Sequence, residues 1–550
     1  MDNATLDEIP TDSVELISTS STNHCNSPYY SEVMQQLRSI FKLKSFRTNQ
    51  LEAITATMDA RDVFVLMPTG GGKSLCYQLP AICDSGKTKG VTVVVTPLIA
   101  LMKDQVDSLL NKGIDAFLWN ADTPHPTVSH RIYGSGPKPR LLYVTPEKLD
   151  GSSALKNVLK NWHRTNTLAR FVIDEAHCIS TWGQDFRDAY KNLGILRDEF
   201  PGVPIMALTA TANQITIDDI VTQLKLNNHA FYRQTFNRPN LRYFIKDKKK
   251  VVPQIVDYIR AEHVGHAGVI YCTGRDRCEI VAEQLREEGL SAAHYHARMS
   301  NSEKDTTLAD WQNGDVKIIV ATIAFGMGID KADVRFVIHH DLPRSLSGYY
   351  QETGRAGRDG KPADCVLYFH AKDFNIICKM IKNDRDREQK QDQAAINRQI
   401  EAAREVVKYC KNISVCRRVQ LLQFFGEKFS KNKCAGGCDN CIDHRPVVPE
   451  DVTAISRNAV QLLRDIERMG DNITMARLQN ILKGSNLAEL RGKGYDKLPL
   501  FGSAQDQPKE LLEQVVQHLQ FIDVLAPVAV QNGATSYHTE YIQVSQCCIC

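Results

Sequence analysis

An α/β protein with two parallel sheets in tandem is what this sequence predicts, and three observations carry the prediction. Short apolar, β-branched runs recur along the first half, each ending in a polar turn. One of these runs ends in a glycine-rich turn, and another, about a hundred residues on, ends in two carboxylates. The pattern of apolar runs then restarts near Asn237-Arg238-Pro239-Asn240. Strands covered by helices on both faces read as continuous apolar runs, and parallel strands deliver functional residues at their carboxyl ends.

In order, the first-half strands are expected at Val63–Leu66, Val91–Val95, Leu141–Val144, Arg170–Ile173 and Ile205–Leu208. The turns Thr96-Pro97-Leu98, Thr145-Pro146-Glu147 and Thr209-Ala210-Thr211-Ala212 punctuate three of them. Second-half strands are expected at Val269–Tyr271, Lys317–Val320, Phe336–His339 and Cys365–Tyr368. A charged helical stretch from Asp373 to about Val407 leads into a cysteine cluster. A last small domain begins near Val452 and ends in two strand-like runs, Val524–Val530 and Tyr537–Val544, with a hairpin signal at Gln531-Asn532-Gly533-Ala534.

The chain of 550 residues is too long for one core, and its net charge of +3 says little about partners. Local charge says more: residues 373–446 carry 15 Lys and Arg against 10 Asp and Glu, whereas residues 451–550 carry 9 against 11. The middle segment is the better site for a polyanion. The first 21 residues are acidic and rich in Ser and Thr, which reads as a disordered tail rather than a signal peptide. No run approaches 18 apolar residues, so no membrane span is expected. With no secretory signal, the 16 cysteines point to a reducing compartment, where clustered cysteines are metal ligands before they are disulfides.

The run Pro68-Thr69-Gly70-Gly71-Gly72-Lys73-Ser74 reads as a phosphate cradle. Its glycines let backbone N–H groups close on phosphates, Lys73 reaches the β- and γ-phosphates, and Ser74 can ligate Mg²⁺. After the Arg170–Ile173 strand come Asp174-Glu175-Ala176-His177; Asp174 is placed to hold Mg²⁺ and Glu175 to polarise the attacking water. Two strand-end motifs in this order predict a nucleoside triphosphatase using ATP and Mg²⁺. In the second half, Gln351-Glu352-Thr353-Gly354-Arg355-Ala356-Gly357-Arg358 offers two guanidinium forks that suit phosphate geometry. If Arg355 and Arg358 meet the γ-phosphate held by Lys73, ATP closes the two halves and hydrolysis releases them.

With those motifs, the chain resembles a superfamily 2 helicase, and specifically a RecQ-family DNA helicase of Bloom type, from about Tyr29 to Val544. The resemblance implies two RecA-like motor domains followed by a zinc-binding helical module and a winged-helix domain. It divides the chain at 1–28 (tail), 29–236, 237–372, 373–446, 447–545 and 546–550 (tail). Phe46-Arg47-Thr48-Asn49-Gln50 resembles the family's adenine-reading motif, implying that Arg47 and Gln50 contact the base. Thr69, Gly70, Gly71, Gly72, Lys73, Ser74 and Gln351 complete the implied nucleotide site, with His177 and Arg355 in support. Ala176–Arg187 resembles the family's aromatic-rich loop, in which Trp182 and Phe186 offer faces to splayed bases, worth about 1–3 kcal/mol each. Arg187 belongs to the same DNA-facing set. The stretch Val320–Lys331, with Thr322, is similar to a motif coupling the ATP and DNA sites, as is Leu208–Ala212. Two positions depart from the family pattern: Gly274 stands where relatives carry a hydroxyl near the DNA backbone, and Arg298 where glycine is usual.

Cys416, Cys434, Cys438 and Cys441 follow the spacing C-x₁₇-C-x₃-C-x₂-C, which suits a closed structural Zn²⁺ site. The resemblance selects these four over Cys410, expected to be an ordinary buried thiol. The last domain, by the same resemblance, grips duplex DNA, with the Gln531–Ser536 turn as its strand-separating hairpin; its net acidity runs against strong affinity for any polyanion. Cys547, Cys548 and Cys550 read as a frayed tail; no helicase-and-RNase-D C-terminal domain follows in the sequence, as expected of either a short member of the family or a truncated reading. The implied activity is 3′→5′ translocation and unwinding of DNA, single-stranded and duplex or junction, in repair, recombination and replication. Alternatives are an RNA helicase or a junction-binding scaffold. Family analogy implies a nucleus; no motif names a protein partner.

Overall fold

The computed structural model describes residues 27–180, 188–323, 325–326, 331–383, 393–443, 450–522, 524–531 and 538–545. The chain forms two compact units, residues 1–444 and 445–550.

In the first unit, seven parallel strands come first: β1 (Val63–Leu66), β2 (Val91–Val95), β3 (Ala116–Trp119), β4 (Leu141–Val144), β5 (Leu168–Ile173), β6 (Ile205–Thr209) and β7 (Ala230–Arg233). They order as β3-β4-β2-β5-β6-β1-β7. Every residue of β1, β2, β4, β5 and β6 is buried, which is why these strands are mostly apolar, with Thr92, Arg170 and Thr209 as buried polar exceptions. Val63, Val65, Val94, Val172, Met206 and Leu208 share one core. The register sets Leu66 against Thr209 and Ile173 against Ala207. The loops after β1 and β5 therefore leave the sheet on either side of β6, and those two loops carry the glycine and carboxylate motifs.

The second sheet contains β8 (Leu241–Asp247), β9 (Ala267–Tyr271), β10 (Ala292–Tyr295), β11 (Ile318–Ala321), β12 (Val334–His339) and β13 (Ala363–Phe369), ordered β10-β11-β9-β12-β13-β8 and again parallel. Ile270, Val320, Phe336, Ile338 and Val366 form its core with helices on its faces. Four strands were not expected from the sequence: β3, β7, β8 and β10. Each is an edge strand. Helices Lys372–Lys382, Gln393–Lys411 and Arg417–Phe424 follow; the charged helical stretch expected from Asp373 to about Val407 is helical in its described parts, and residues 384–392 lie outside the described residues.

The second unit packs helices Thr453–Arg468, Met475–Leu482 and Lys509–Phe521 with an antiparallel pair, β14 (Leu525–Gln531) and β15 (His538–Val544). Leu462, Ile466, Leu478, Ile481, Leu512, Val516, Leu525 and Ile542 form its core, a winged-helix arrangement. The expected hairpin tip lies mostly at 532–537, outside the described residues.

Candidate functional site

The phosphate loop leaves β1 and runs into the helix Leu75–Ile82. Gly70 and Gly72 take φ of +79° and +88°, a region open to glycine. A Cβ at Gly72 would lie 2.3 Å from Gln50 Nε2. That close approach is used: the Gln50 amide donates to the Gly72 carbonyl at 3.0 Å, and the Arg47 guanidinium donates to the Gly70 carbonyl. The Arg47 amide donates to Gln50 Oε1 at 2.7 Å, and Gln234 Nε2 to the Thr48 carbonyl at 2.7 Å. Arg47 and Gln50 thus shape the loop that Thr69, Gly71 and Ser74 complete. Lys73 Nζ donates to the Met67 carbonyl at 3.2 Å, keeping the ammonium over the loop.

Across β6, Asp174 is buried, and burial, followed by the neighbouring Glu175, pushes its carboxyl up to about 7. Lys73 opposes that shift, as a cation close enough to be felt must. Glu175 adopts a left-handed φ of +49°, and its amide donates to Asp174 Oδ1 at 3.0 Å. His177 Nδ1 lies 2.9 Å from Thr209 Oγ1 and 3.3 Å from Glu175 Oε2. Thr209 Oγ1 also accepts from the Thr211 amide at 3.2 Å. His177 therefore joins the carboxylate loop to the turn after β6. A buried carboxyl pushed up by burial and by Glu175, with Lys73 close enough to oppose the shift, suits a hard divalent ion held with a polyphosphate.

In the second half, Ser345 caps the helix Leu346–Thr353, accepting from the Gly348 amide at 3.0 Å. Gln351 lines a cavity of about 300 Å³ together with His177, Thr211 and Phe424. Arg355 is buried and hydrogen-bonds to the Tyr271 hydroxyl, which itself donates to the Phe325 carbonyl at 2.9 Å. Arg358 is half-buried. Thr322 sits at the end of β11, its carbonyl accepting from the Phe325 amide at 3.0 Å. The turn carrying both arginines is fastened from outside by Arg238, which donates to the carbonyls of Gly354 (3.3 Å), Ala356 (3.0 Å) and Gly357 (2.9 Å). Gly357 has φ +56°, and a Cβ there would lie 2.4 Å from Asn240 Nδ2, so the linker packs directly on its backbone.

Cys416, Cys434, Cys438 and Cys441 are buried, with all four Sγ atoms within 4.8 Å of one another. Cys438 Sγ lies 3.8 Å from those of Cys434 and Cys416. A tetrahedron with Zn–S bonds of about 2.3 Å has edges of about 3.8 Å, so the sulfur cage fits zinc. The hydrogen bond from Cys416 is the largest influence holding the Cys438 thiol well below its usual range. Cys410 is buried, and burial pushes its thiol up, as an ordinary core cysteine requires. The cage is tied to the second sheet: the Tyr243 amide donates to the Gly437 carbonyl at 3.1 Å and the Ile245 amide to Asp439 Oδ2 at 2.9 Å. Arg418, beside the cage, is buried and donates to Asn237 Oδ1 (2.9 Å) and to the carbonyls of Arg238 (2.7 Å), Pro239 (3.3 Å) and Leu241 (2.7 Å).

Comparison with known proteins covers the segments that carry these parts. The family model for the DEAD/DEAH box helicase matches residues 47–220, and that for the helicase conserved C-terminal domain matches 247–360. The RecQ zinc-binding model matches 371–442, and the RQC domain model 449–547. The ATP-dependent DNA helicase RecQ of Haemophilus influenzae is 38% identical over 529 residues, 94% of this chain and 81% of that protein. This chain belongs to the RecQ family. The ATP-dependent DNA helicase hus2/rqh1 of Schizosaccharomyces pombe is 46% identical over 90% of the chain, yet the chain spans 37% of its length. Among solved structures, the DUF1998 helicase MrfA bound to DNA matches 72% of the chain and 59% of its own at 17% identity, with a TM-score of 0.50, a likeness of fold.

In this RecQ chain Trp182, Phe186 and Arg187 lie outside the described residues. Tyr190, just beyond them, is buried and its hydroxyl donates to the Asp174 carbonyl at 3.0 Å, so the segment after the aromatic loop touches the carboxylate turn directly. Gly274 starts the helix Arg275–Glu287 without a side-chain cap. Arg298 forms an exposed ion pair with Asp276 at 2.8 Å. The residues missed by sequence reasoning are Tyr190, Gln234, Arg238 and Arg418, each acting on backbone carbonyls, a role that leaves no motif. No helix among the described residues is long and apolar enough to cross a membrane.

Proposed function

We propose that the chain is an ATP-dependent DNA helicase translocating 3′→5′, a nuclear protein of DNA repair, recombination and replication. The observation that carries this reading is the continuous path from Lys73 and the Asp174–Glu175 pair through His177 to the turn after β6, with the arginine turn fastened by Arg238 in the same compact unit. Lys73, Thr69 to Gly72 and Ser74 hold the phosphates of ATP. Ser74 and Asp174 would hold Mg²⁺, which supplies charge neutralisation at the phosphates. Glu175 orients the attacking water and takes its proton; His177 reports the state of the site to Thr209. Arg358, with Arg355 beside it, stabilises charge on the transferred phosphoryl group when the halves close, and opening follows hydrolysis. Arg47, Gln50 and Gln351 complete the nucleotide site; Trp182, Phe186, Arg187 and Thr322 contact or sense DNA. Segments 29–236 and 237–372 are the two motor domains, 373–446 the zinc module and 447–545 the duplex-binding domain.

The test is ATP hydrolysis with single-stranded DNA and with an equal length of RNA, against Glu175→Gln. Stimulation by DNA alone, abolished by the substitution, supports the reading. Stimulation by RNA moves the chain to an RNA-directed motor. Hydrolysis indifferent to both, with duplex binding retained, makes it a junction-binding scaffold.

A further inference from the structure

The linker from β7 to β8 joins the two sheets covalently, and three parts of the first unit meet on it. Asn49 Nδ2 donates to the Arg233 carbonyl at 2.7 Å and the Gln234 amide to the Leu66 carbonyl at 2.9 Å, so the linker starts fixed to the first sheet. The Gln234 side chain then reaches the phosphate loop. Its Nε2 points at the Gly71 carbonyl at 3.5 Å as well as at Thr48, and a Cβ on Gly71 would lie 2.7 Å from its Oε1. The loop backbone therefore packs directly on the carboxamide.

The zinc module clasps the next two residues. Glu427 accepts from the Thr235 hydroxyl on one oxygen and from the Phe236 amide on the other, at 2.7 Å. The rings of Phe236 and Phe425 stack with centroids 4.5 Å apart and planes 12° from parallel, and both are buried. From the other side, the Tyr350 hydroxyl donates to the Phe236 carbonyl at 2.8 Å. Tyr350 belongs to the helix Leu346–Thr353, which runs into the turn carrying Arg355 and Arg358. Phe236 is thus held by its amide and ring on the zinc module and by its carbonyl on the arginine-bearing helix.

The phosphate loop has a reason to move against this node. The Gly71 amide donates to the Pro68 carbonyl at 2.8 Å, and Lys73 Nζ to the Met67 carbonyl at 3.2 Å. Phosphate oxygens compete for both donors, so a cradled polyphosphate re-aims the Gly71 peptides, and Gln234 is in contact with them. We infer that Gln234, Phe236 and Tyr350 form a coupling line, clasped by Glu427, that carries occupancy of the phosphate loop to the helix in front of the arginine turn. This rests on the proposed reading of that loop as the nucleotide site and of the arginine turn as its partner. All four are positioning residues, acting on backbone rather than on phosphate. Because Glu427 and Phe425 fix the amide and ring of Phe236, the linker has no slack in which a shift at Gln234 could be lost.

The test compares the full chain with Gln234→Leu, Glu427→Gln and Tyr350→Phe. Amide exchange of residues 235–237, followed by mass spectrometry, should slow about threefold or more when a non-hydrolysable ATP analogue and Mg²⁺ are added at saturation. That response should vanish in Gln234→Leu, and in Glu427→Gln exchange should be faster with and without the analogue. Tyr350→Phe, which deletes a single hydroxyl, should lower kcat for DNA-stimulated hydrolysis about tenfold and leave the half-saturating ATP concentration in place. Combined with Gln234→Leu, it should lower kcat no further than the worse single variant. Linker exchange indifferent to the analogue in the parent chain overturns the coupling, and so do losses that multiply in the double variant. Parent hydrolysis indifferent to DNA sinks the proposed function instead, and the exchange measurement still decides the coupling.

Discussion

The two parallel sheets of the first unit share their strand direction and their apolar interior, and differ in what leaves their carboxyl ends. From the first sheet come a glycine loop after β1 and two carboxylates after β5, either side of β6. From the second come Cys272-Thr273-Gly274 after β9 and His340-Asp341 after β12, while its arginines sit in the turn after the helix Leu346–Thr353. One sheet therefore presents its candidate site at its strand ends, and the other carries its candidate arginines on a turn that is held by something else. Arg238 holds that turn, and Arg418 of the zinc module holds the linker around Arg238. The comparison teaches that the second half depends on its neighbours for its functional geometry in a way the first half does not.

The largest effect is expected at the arginine turn. Arg358→Ala should lower kcat for DNA-stimulated hydrolysis by about 10³-fold while nucleotide binding survives, measured by steady-state hydrolysis beside equilibrium binding. Equal losses of binding and turnover would place Arg358 in the ground state and blur the division between the halves. Glu175→Gln comes next, with kcat lower by about 10²-fold or more and ATP still bound. Arg418→Ala sharpens the dependence of the second half on the zinc module: it removes a buried cation serving one side-chain and three main-chain oxygens. A loss of about 3 kcal/mol is expected in chemical denaturation of the first unit. A change below about 0.5 kcal/mol would show that the linker is held elsewhere.

A pH effect should follow from Asp174. Its carboxyl is raised from 3.8 to about 7, so between those values the folded site without a cation binds a proton the unfolded chain has released. Stability of the nucleotide-free protein should fall as pH rises through that window. Magnesium-dependent nucleotide binding needs the ionised form, so its apparent affinity should drop up to about tenfold per pH unit below about 7. Isothermal titration at two pH values, with Asp174→Asn as control, checks the proton release. The smallest effect belongs to Arg298→Ala. Its ion pair with Asp276 is exposed on both sides, and removal should move stability by less than about 0.5 kcal/mol in thermal unfolding.

The interior strands were legible because burial on both faces favours apolar residues at nearly every position, as β1, β2, β4, β5 and β6 show, with Thr92, Arg170 and Thr209 as their polar exceptions. The edge strands were not. β7 alternates buried and half-buried positions, β8 ends in the half-buried and exposed run Phe244–Asp247, and β10 is half-buried after its first residue. Such strands are defined by the neighbour they pair with, and a single sequence does not show the neighbour.

The same division runs through the site. Sequence alone singled out the candidate phosphate loop, carboxylate pair and arginine turn, and the four cysteines that the structure brings into one cage, because phosphates and zinc demand particular residue types at short, fixed spacings. Tertiary structure decided the rest: that Gln50 and Arg47 brace the glycine loop, that His177 reaches Thr209, and that Arg418 and Arg238 carry support from the zinc module to the arginine turn. It also brought Cys272 beside His340, 68 positions apart, through the pairing of β9 with β12. Those contacts join segments far apart in the chain through backbone carbonyls and sheet register. Neither leaves a residue pattern, so only the folded chain holds them.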